Sequence, residues 1–167
     1  VISQDAEGMV KEAYAIVKRL GEGTYIKIPS TEEGLKAIRI LSEKGIHTTA
    51  TAIYTPMQAF LAGKSGADYA APYINRIDNL GANGVETAKT IHDIFRNNGL
   101  KTNVLAASFK NSQQIQELCK YGIGAVTAGC EIIEGLVQNA SVNLAIKNFN
   151  EDFEKLCGKG KNMSNCY

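Results

Sequence analysis

A lysine set in an apolar run is the first feature of this sequence that could do chemistry. Lys27 stands in Tyr25-Ile26-Lys27-Ile28-Pro29. Pro29 can end a strand, and the carboxyl end of a buried strand is where a barrel enzyme presents its reactive side chains. An amine sheltered from water is disfavoured in its charged form, and a free amine attacks a ketone to form an imine. A stem that snorkels to solvent, or an ion pair, would also account for a lysine here. Arg76 lies in Pro72-Tyr73-Ile74-Asn75-Arg76-Ile77-Asp78, just past a second run. Its planar guanidinium suits a phosphate, with a salt bridge to Asp78 as the competing use. Ser108-Phe109-Lys110 follows Val104-Leu105-Ala106-Ala107. A hydroxyl, an amide and an ammonium there could grip a phosphate, or be a loop serine beside a solvated lysine. Tyr73 is a candidate for proton transfer, and Thr51 for a hydrogen bond to water or a substrate hydroxyl; both types also serve as plain packing. His47 and His92 have no metal partner at ligand spacing and receive no role.

These residues recur at the ends of short β-type runs. The expected strands are Thr24–Ile28, Thr48–Ile53, Asp68–Tyr73, Asn103–Ala107 and Gly124–Thr127, with Val1-Ile2 reading as the end of another. They are apolar and rich in small residues, as strands buried on both faces are. Helical periodicity fills the spaces: Ala6–Leu20, a helix from a Ser30/Glu33 capping box to Lys44 before Gly45, then Gly84–Asn97. A further helix is capped by Asn111, with Gln114 three residues on and Gly122 near its end. Cys130–Gln138 and Ser141–Leu156 close the chain, and a polar tail from 158 to 167 is expected to be mobile. The βα alternation predicts a parallel sheet with right-handed crossovers, either open or closed into a barrel. No G-x-G-x-x-G or P-loop follows a strand, and polar residues converge from several strand ends, which favours the barrel. Six βα units are expected where a closed barrel has eight, which puts two further units upstream of Val1.

Composition removes other classes. The chain has 167 residues, 44% hydrophobic and 21% charged, with a net charge of +1. That balance carries no basic field for nucleic acid, so any anion specificity is local. No apolar run reaches the roughly 18 residues of a membrane span, and the N-terminus has no signal-peptide pattern. The four cysteines form no C-x-x-C pair, so reduced thiols in a cytoplasmic protein are expected, with Cys119 and Cys130 as small core residues.

Taken together, Ala6-Glu7-Gly8-Met9-Val10, Ile26-Lys27-Ile28-Pro29, Thr31-Glu32-Glu33-Gly34-Leu35, Thr51-Ala52-Ile53-Tyr54, Ala71 to Asp78 and Val104 to Lys110 resemble the transaldolase family, in particular its small bacterial branch of fructose-6-phosphate aldolases. The matches keep the family's order over nearly the whole chain. The resemblance implies a TIM (β/α)8 barrel whose first two βα units are missing from this chain, with residues 1–157 as units three to eight plus a C-terminal helix. It implies Lys27 as the imine-forming lysine, Tyr73 as proton-transfer residue, Thr51 lining the site, and Arg76, Ser108 and Lys110 at the substrate phosphate. A tyrosine at position 73, where many transaldolases have phenylalanine, tilts the expectation towards aldol cleavage of fructose 6-phosphate over transfer of a dihydroxyacetone unit in the pentose phosphate pathway. An acidic residue, a Thr-Thr-Asn-Pro segment and a water-positioning Gln or Glu, which the family carries on its first three strands, have no counterpart here. A non-catalytic fragment that binds sugar phosphate is therefore the expectation from another class. The resemblance also implies no metal or organic cofactor, sugar phosphates as partners, and a homo-oligomeric ring, a pentamer or decamer, joined through the helix bearing Leu144, Phe149, Phe153 and Leu156.

Overall fold

Five short strands run parallel and pair in chain order: β1 (Ile26–Pro29), β2 (Thr48–Ile53), β3 (Tyr69–Pro72), β4 (Asn103–Ala107) and β5 (Ala125–Thr127). The fold is α/β with a parallel sheet, in a computed structural model that describes Val1–Cys166. The strand order never reverses. Right-handed crossovers in such a sheet stack the helices on one face. The helices meet in that sequence: α1 (Ala6–Leu20) packs on α2 (Glu32–Glu43), α2 on α3 (Pro56–Lys64), α3 on α5 (Gly84–Asn97) and α5 on α6 (Ser112–Tyr121). A short α4 (Ile74–Asp78) follows β3.

The core lies between the sheet and this helical layer. Ile26, Ile28, Ala50, Ala70, Val104 and Ala106 meet Met9, Ala13, Ile38, Leu41, Ala88, Ile91 and Leu118 there, all buried. Because side chains alternate along a strand, the residues between these point to the other face. Burial on both faces was expected of every strand. The central strands approach it, whereas β1 alternates, with Lys27 exposed between buried Ile26 and Ile28. At this edge strand no second layer covers the sheet among the described residues.

Most element positions follow the sequence pattern to within a few residues, and the differences have physical causes. The helix expected from Ser30 begins one residue later: Thr31 is its cap and accepts from Gly34 N at 3.0 Å. Ser30 N instead donates to Thr51 O at 2.9 Å, so the sheet ladder holds Ser30 extended. Glu33 does not close a capping box. Its carboxylate takes Lys36 at 2.7 Å and the first amide of α1, Ala6 N, at 3.0 Å, and these two, Lys36 first, hold it below the usual carboxylate range. Helices α3 and α4 were not anticipated. A capping box does start α3, between Thr55 and Gln58 with Pro56 at the first position, but its Ala- and Gly-rich body carries almost no amphipathic signal. Cys119 is exposed, because the inward positions of α6 are Ile115 and Leu118.

The chain divides into two units, Val1–Gly129 and the residues from Cys130 on. The second holds α7 (Cys130–Gly135) and α8 (Ala140–Cys157), neither of which has a buried residue. Cys130 is exposed as well. Reduced thiols were expected, but Cys157 and Cys166 are joined in a disulfide that ties the polar tail to the end of α8.

Gly34 shows how closely the helical layer fits the sheet. A Cβ at this position would run into the carbonyl of Pro29 at the end of β1. Gly34→Ala is expected to destabilise the fold by about 1–3 kcal/mol, because α2 or the end of β1 must move. A urea midpoint equal to the parent's would show that α2 does not press on that carbonyl.

Candidate active site

The candidate residues gather on one sheet face and at the carboxyl ends of the strands. Register decides the face. Lys27 is paired with Thr49, and Pro29 with Thr51. In-register partners on parallel strands point the same way, and residues two apart share a face. Lys27, Thr49 and Thr51 therefore form one row that climbs towards the strand ends, opposite the core row of Ile26, Ile28 and Ala50. Past Thr51 the register between β2 and β3 shifts, and Ala52 has a φ of 55°. Left-handed backbone is strained for a residue with a Cβ and collects at functional sites.

Tyr73 is where the row meets the strand ends. Its hydroxyl lies 3.0 Å from Thr51 Oγ1, its backbone N donates to Ile53 O at 3.1 Å, and it bridges to Ala107 on β4. The Arg76 guanidinium stacks over its ring at 4.5 Å, and the Tyr54 ring meets it edge-on at 5.7 Å. Cation–π attraction of this kind holds a guanidinium in place while leaving its N–H donors free. The salt bridge from Arg76 to Asp78 is absent among the described residues. Asp78 instead accepts from Gly84 N at 2.7 Å and from Gln114 Nε2 at 2.6 Å.

Ser108 stands at the end of β4 with a φ of 62°, the second strained non-glycine turn. Its carbonyl accepts from Asn75 N at 2.8 Å, which brings it beside the turn that carries Arg76. Lys110 is exposed, and its backbone N donates to Gln114 Oε1 at 2.9 Å. Thr51, Tyr73 and Arg76 are thus in direct contact, and Ser108 is tied to their neighbour Asn75. The side chains of Lys27, Ser108 and Lys110 make no hydrogen bond or ion pair with the other candidates among the described residues. Lys27 has no carboxylate partner in that set either, which removes the ion-pair alternative there. The shelter from water expected for its amine is not supplied by this chain, because Lys27 is exposed on the open face.

The opposite end of the sheet is built differently. His47 stacks on Tyr25 at 4.7 Å and contacts Asp68 at 3.1 Å, and Asp68 also accepts from Thr48 N at 2.8 Å. These groups satisfy one another at the amino ends of the strands, where barrel-type sheets keep stability residues.

Comparison with known proteins decides what this arrangement belongs to. The sequence profile of the family described as Transaldolase/Fructose-6-phosphate aldolase matches residues 1–166. The chain belongs to the transaldolase/fructose-6-phosphate aldolase family. It is similar to a probable transaldolase of Hydrogenobaculum sp. (strain Y04AAS1), 39% identical over 158 residues, which are 95% of this chain and 72% of that protein. A probable transaldolase of Caldicellulosiruptor saccharolyticus is 41% identical over 157 residues, 93% of this chain and 72% of the relative. A probable fructose-6-phosphate aldolase of Streptococcus pneumoniae is 40% identical over 153 residues, 92% of this chain and 69% of the relative. The protein is therefore an enzyme of the transaldolase and aldolase kind. No helix in the described residues is long and apolar enough to cross a membrane.

Several residues around the candidate site carry little signal in the sequence. Ala52 gives no sequence signal of its positive φ. Tyr54 was visible only as part of a motif. Asp78 was considered only as a partner for Arg76, and Gln114 only as part of a helix cap.

The open edge of β1 carries one more contact. Val1 N donates to Lys27 O at 3.3 Å. Glu12 on α1 holds this opening segment, accepting from Ile2 N at 2.6 Å, Ser3 N at 2.9 Å and Ser3 Oγ at 2.5 Å. The Ser3 hydroxyl first, then the Ile2 amide, lower the Glu12 carboxyl from its ordinary 4.5. A lowered folded value means that this attachment is complete above the ordinary value and is lost as the pH falls through the lowered one. Protection of the Ile2 and Ser3 amides, taken against their intrinsic exchange rate at each pH, is expected to drop in a step over that interval. Exchange in Glu12→Gln is expected to lack the step; a parent protein without the step overturns the assignment.

Proposed function

We propose that this protein is a class I aldolase in which Lys27 forms a Schiff base with a ketose phosphate, cleaving fructose 6-phosphate to dihydroxyacetone and glyceraldehyde 3-phosphate or joining the two. The observation that carries this is the Thr51–Tyr73 contact at 3.0 Å on the sheet face that also bears Lys27, with Arg76 stacked on the same tyrosine. A nucleophile, a proton carrier and a phosphate ligand then share one surface.

Lys27, as the free amine, adds to the C2 carbonyl, and loss of water gives an iminium. The iminium takes up the electrons of the C3–C4 bond as the C4 hydroxyl gives up its proton, so glyceraldehyde 3-phosphate leaves and an enamine remains. Protonation at C3 and addition of water at C2 release dihydroxyacetone and restore the amine. Tyr73, hydrogen-bonded to Thr51, is the group we assign to carry these protons. The iminium is itself the electron sink, so the steps call for no metal or organic cofactor. Arg76, Ser108 and Lys110 hold the phosphate, and that remote binding energy positions C2 over Lys27.

Shelter for the amine belongs to a closed (β/α)8 barrel, which we propose as the form of the working sheet, completed by strands outside these 167 residues. Strand order without reversal and a single helical layer support it. So does the share of the relatives' length that this chain covers, 69–72%. The cytoplasm is the proposed location, where the Cys157–Cys166 bridge would be reduced.

Transfer of the enamine to a second aldehyde is the alternative, favoured by the transaldolase names of two of the relatives described. Incubation of the full-length protein with dihydroxyacetone and borohydride is expected to leave a stable mass adduct on Lys27, and none in Lys27→Arg. Free dihydroxyacetone released from fructose 6-phosphate supports cleavage; its absence, with transfer to an added aldehyde, supports the transaldolase alternative. An unmodified Lys27 removes both and leaves a sugar-phosphate-binding protein.

We also propose assembly through α8. Leu144 is 60% exposed, Phe149 70% and Leu156 84%, and Phe153 is half-buried. A helix with no buried residue and this apolar surface suits a neighbouring subunit, and a ring is the expected product. A protein ended before Asn143 is expected to run as a smaller species in light scattering; unchanged oligomer size refutes it.

A further inference from the structure

We propose that Asp78 and Gln114 are positioning residues that hold the two halves of the phosphate site in register, an inference that rests on reading Arg76, Ser108 and Lys110 as phosphate ligands. Arg76 is two residues before Asp78 in the same short helix, and Lys110 is four residues before Gln114. The bond from Gln114 Nε2 to Asp78 Oδ2, at 2.6 Å, joins elements 36 residues apart in sequence. The other oxygen of Asp78 accepts from Gly84 N at 2.7 Å, and the other end of the Gln114 amide accepts from Lys110 N at 2.9 Å. One line of bonds therefore runs from the start of α5, through the turn bearing Arg76, to the loop bearing Lys110. The Asn75 N bond to Ser108 O, at 2.8 Å, is a second tie between the same turn and the same loop. Ser108 at a φ of 62° needs such restraint, since a strained turn persists only where its surroundings hold it.

Donor and acceptor polarity makes the line directional. A carboxylate only accepts, so Asp78 fixes the Gln114 amide with its NH2 towards Asp78 and its oxygen towards Lys110 N–H. In Asp78→Asn the oxygen of the new amide is required by Gly84 N–H, and its NH2 faces Gln114. Gln114 must then either face donor to donor or turn over, which leaves its NH2 opposite Lys110 N–H. The mismatch travels to the phosphate loop without touching Lys27, Thr51 or Tyr73. In the double variant Asp78→Asn with Gln114→Glu, the carboxylate introduced on α6 accepts at both ends, and every bond of the line has a donor and an acceptor again.

The test is this cycle in the full-length enzyme, with steady-state kinetics in the condensation direction using dihydroxyacetone and either glyceraldehyde 3-phosphate or unphosphorylated glyceraldehyde. D78N and Q114E alone are each expected to raise KM for the phosphorylated aldehyde on the order of tenfold, as for a lost or mismatched hydrogen bond to a charged group in a partly buried position. The KM for glyceraldehyde and the yield of borohydride adduct are expected to stay near the parent's. The double variant is expected to return most of the KM. Gln114→Met, which leaves the Gly84 bond intact, is expected to behave like D78N and serves if D78N does not fold. Single variants that keep the parent's preference for the phosphorylated aldehyde, or a double variant no better than the singles, overturn the inference alone. Absence of a Lys27 adduct in the parent overturns it together with the proposed function.

Discussion

Every other feature of this protein depends on a constraint of connectivity. Five parallel strands that pair in chain order, joined by right-handed crossovers, can only put their helices on one side. One parity of residues then belongs to the core and the other to the opposite face. Ile26 and Ile28 meet the helices, and Lys27 between them cannot. The same parity extends through Thr49 to Thr51, so the polar row that approaches Tyr73 follows from the topology. Small residues on the inward row, Ala50, Ala70 and Ala106 among them, bring the helices down onto the sheet. The contact between α2 and the end of β1 is so close that Gly34 has no room for a Cβ.

At the carboxyl ends of the strands the backbone leaves regular geometry twice, at Ala52 and Ser108. Both turns are held by neighbours. Ala52 O accepts the Ser30 hydroxyl at 3.4 Å, and Ser108 O accepts Asn75 N. Arg76 is likewise restrained before any ligand arrives, by the face of Tyr73. A ligand that reaches these groups would need to order little of the backbone, which lowers the entropic cost of binding.

Much of this was legible in the residues, and the limits have physical causes. Helices with a strong apolar stripe, α1, α2, α5 and α6, were readable to within a residue or two, and Asn111 capped α6 as its type and spacing predict. Helix α3 was not readable, because Ala and Gly give no stripe, although Thr55-Pro56 and Gln58 spelled out its start. The Ser30 cap failed because two hydroxyl residues stand in sequence and the sheet ladder claims the first. Cys157 and Cys166 carry no spacing signature of a bridge. The candidate site was legible as a set of strand-end residues and through family likeness. Its internal order was not. That Tyr73 would take Thr51 and Arg76 together, and that Asp78 would turn from Arg76 to Gln114, depends on partners brought from distant parts of the chain.

The opening segment has a consequence beyond the site. Glu12 gathers Ile2 and Ser3, so the stretch that leads into α1 is fastened to the helix it begins. A stretch tied by one carboxylate can open by itself, at a free energy far below that of the whole fold. Acidification would therefore free this lead first and leave sheet and helices packed: a local release, not a global melting.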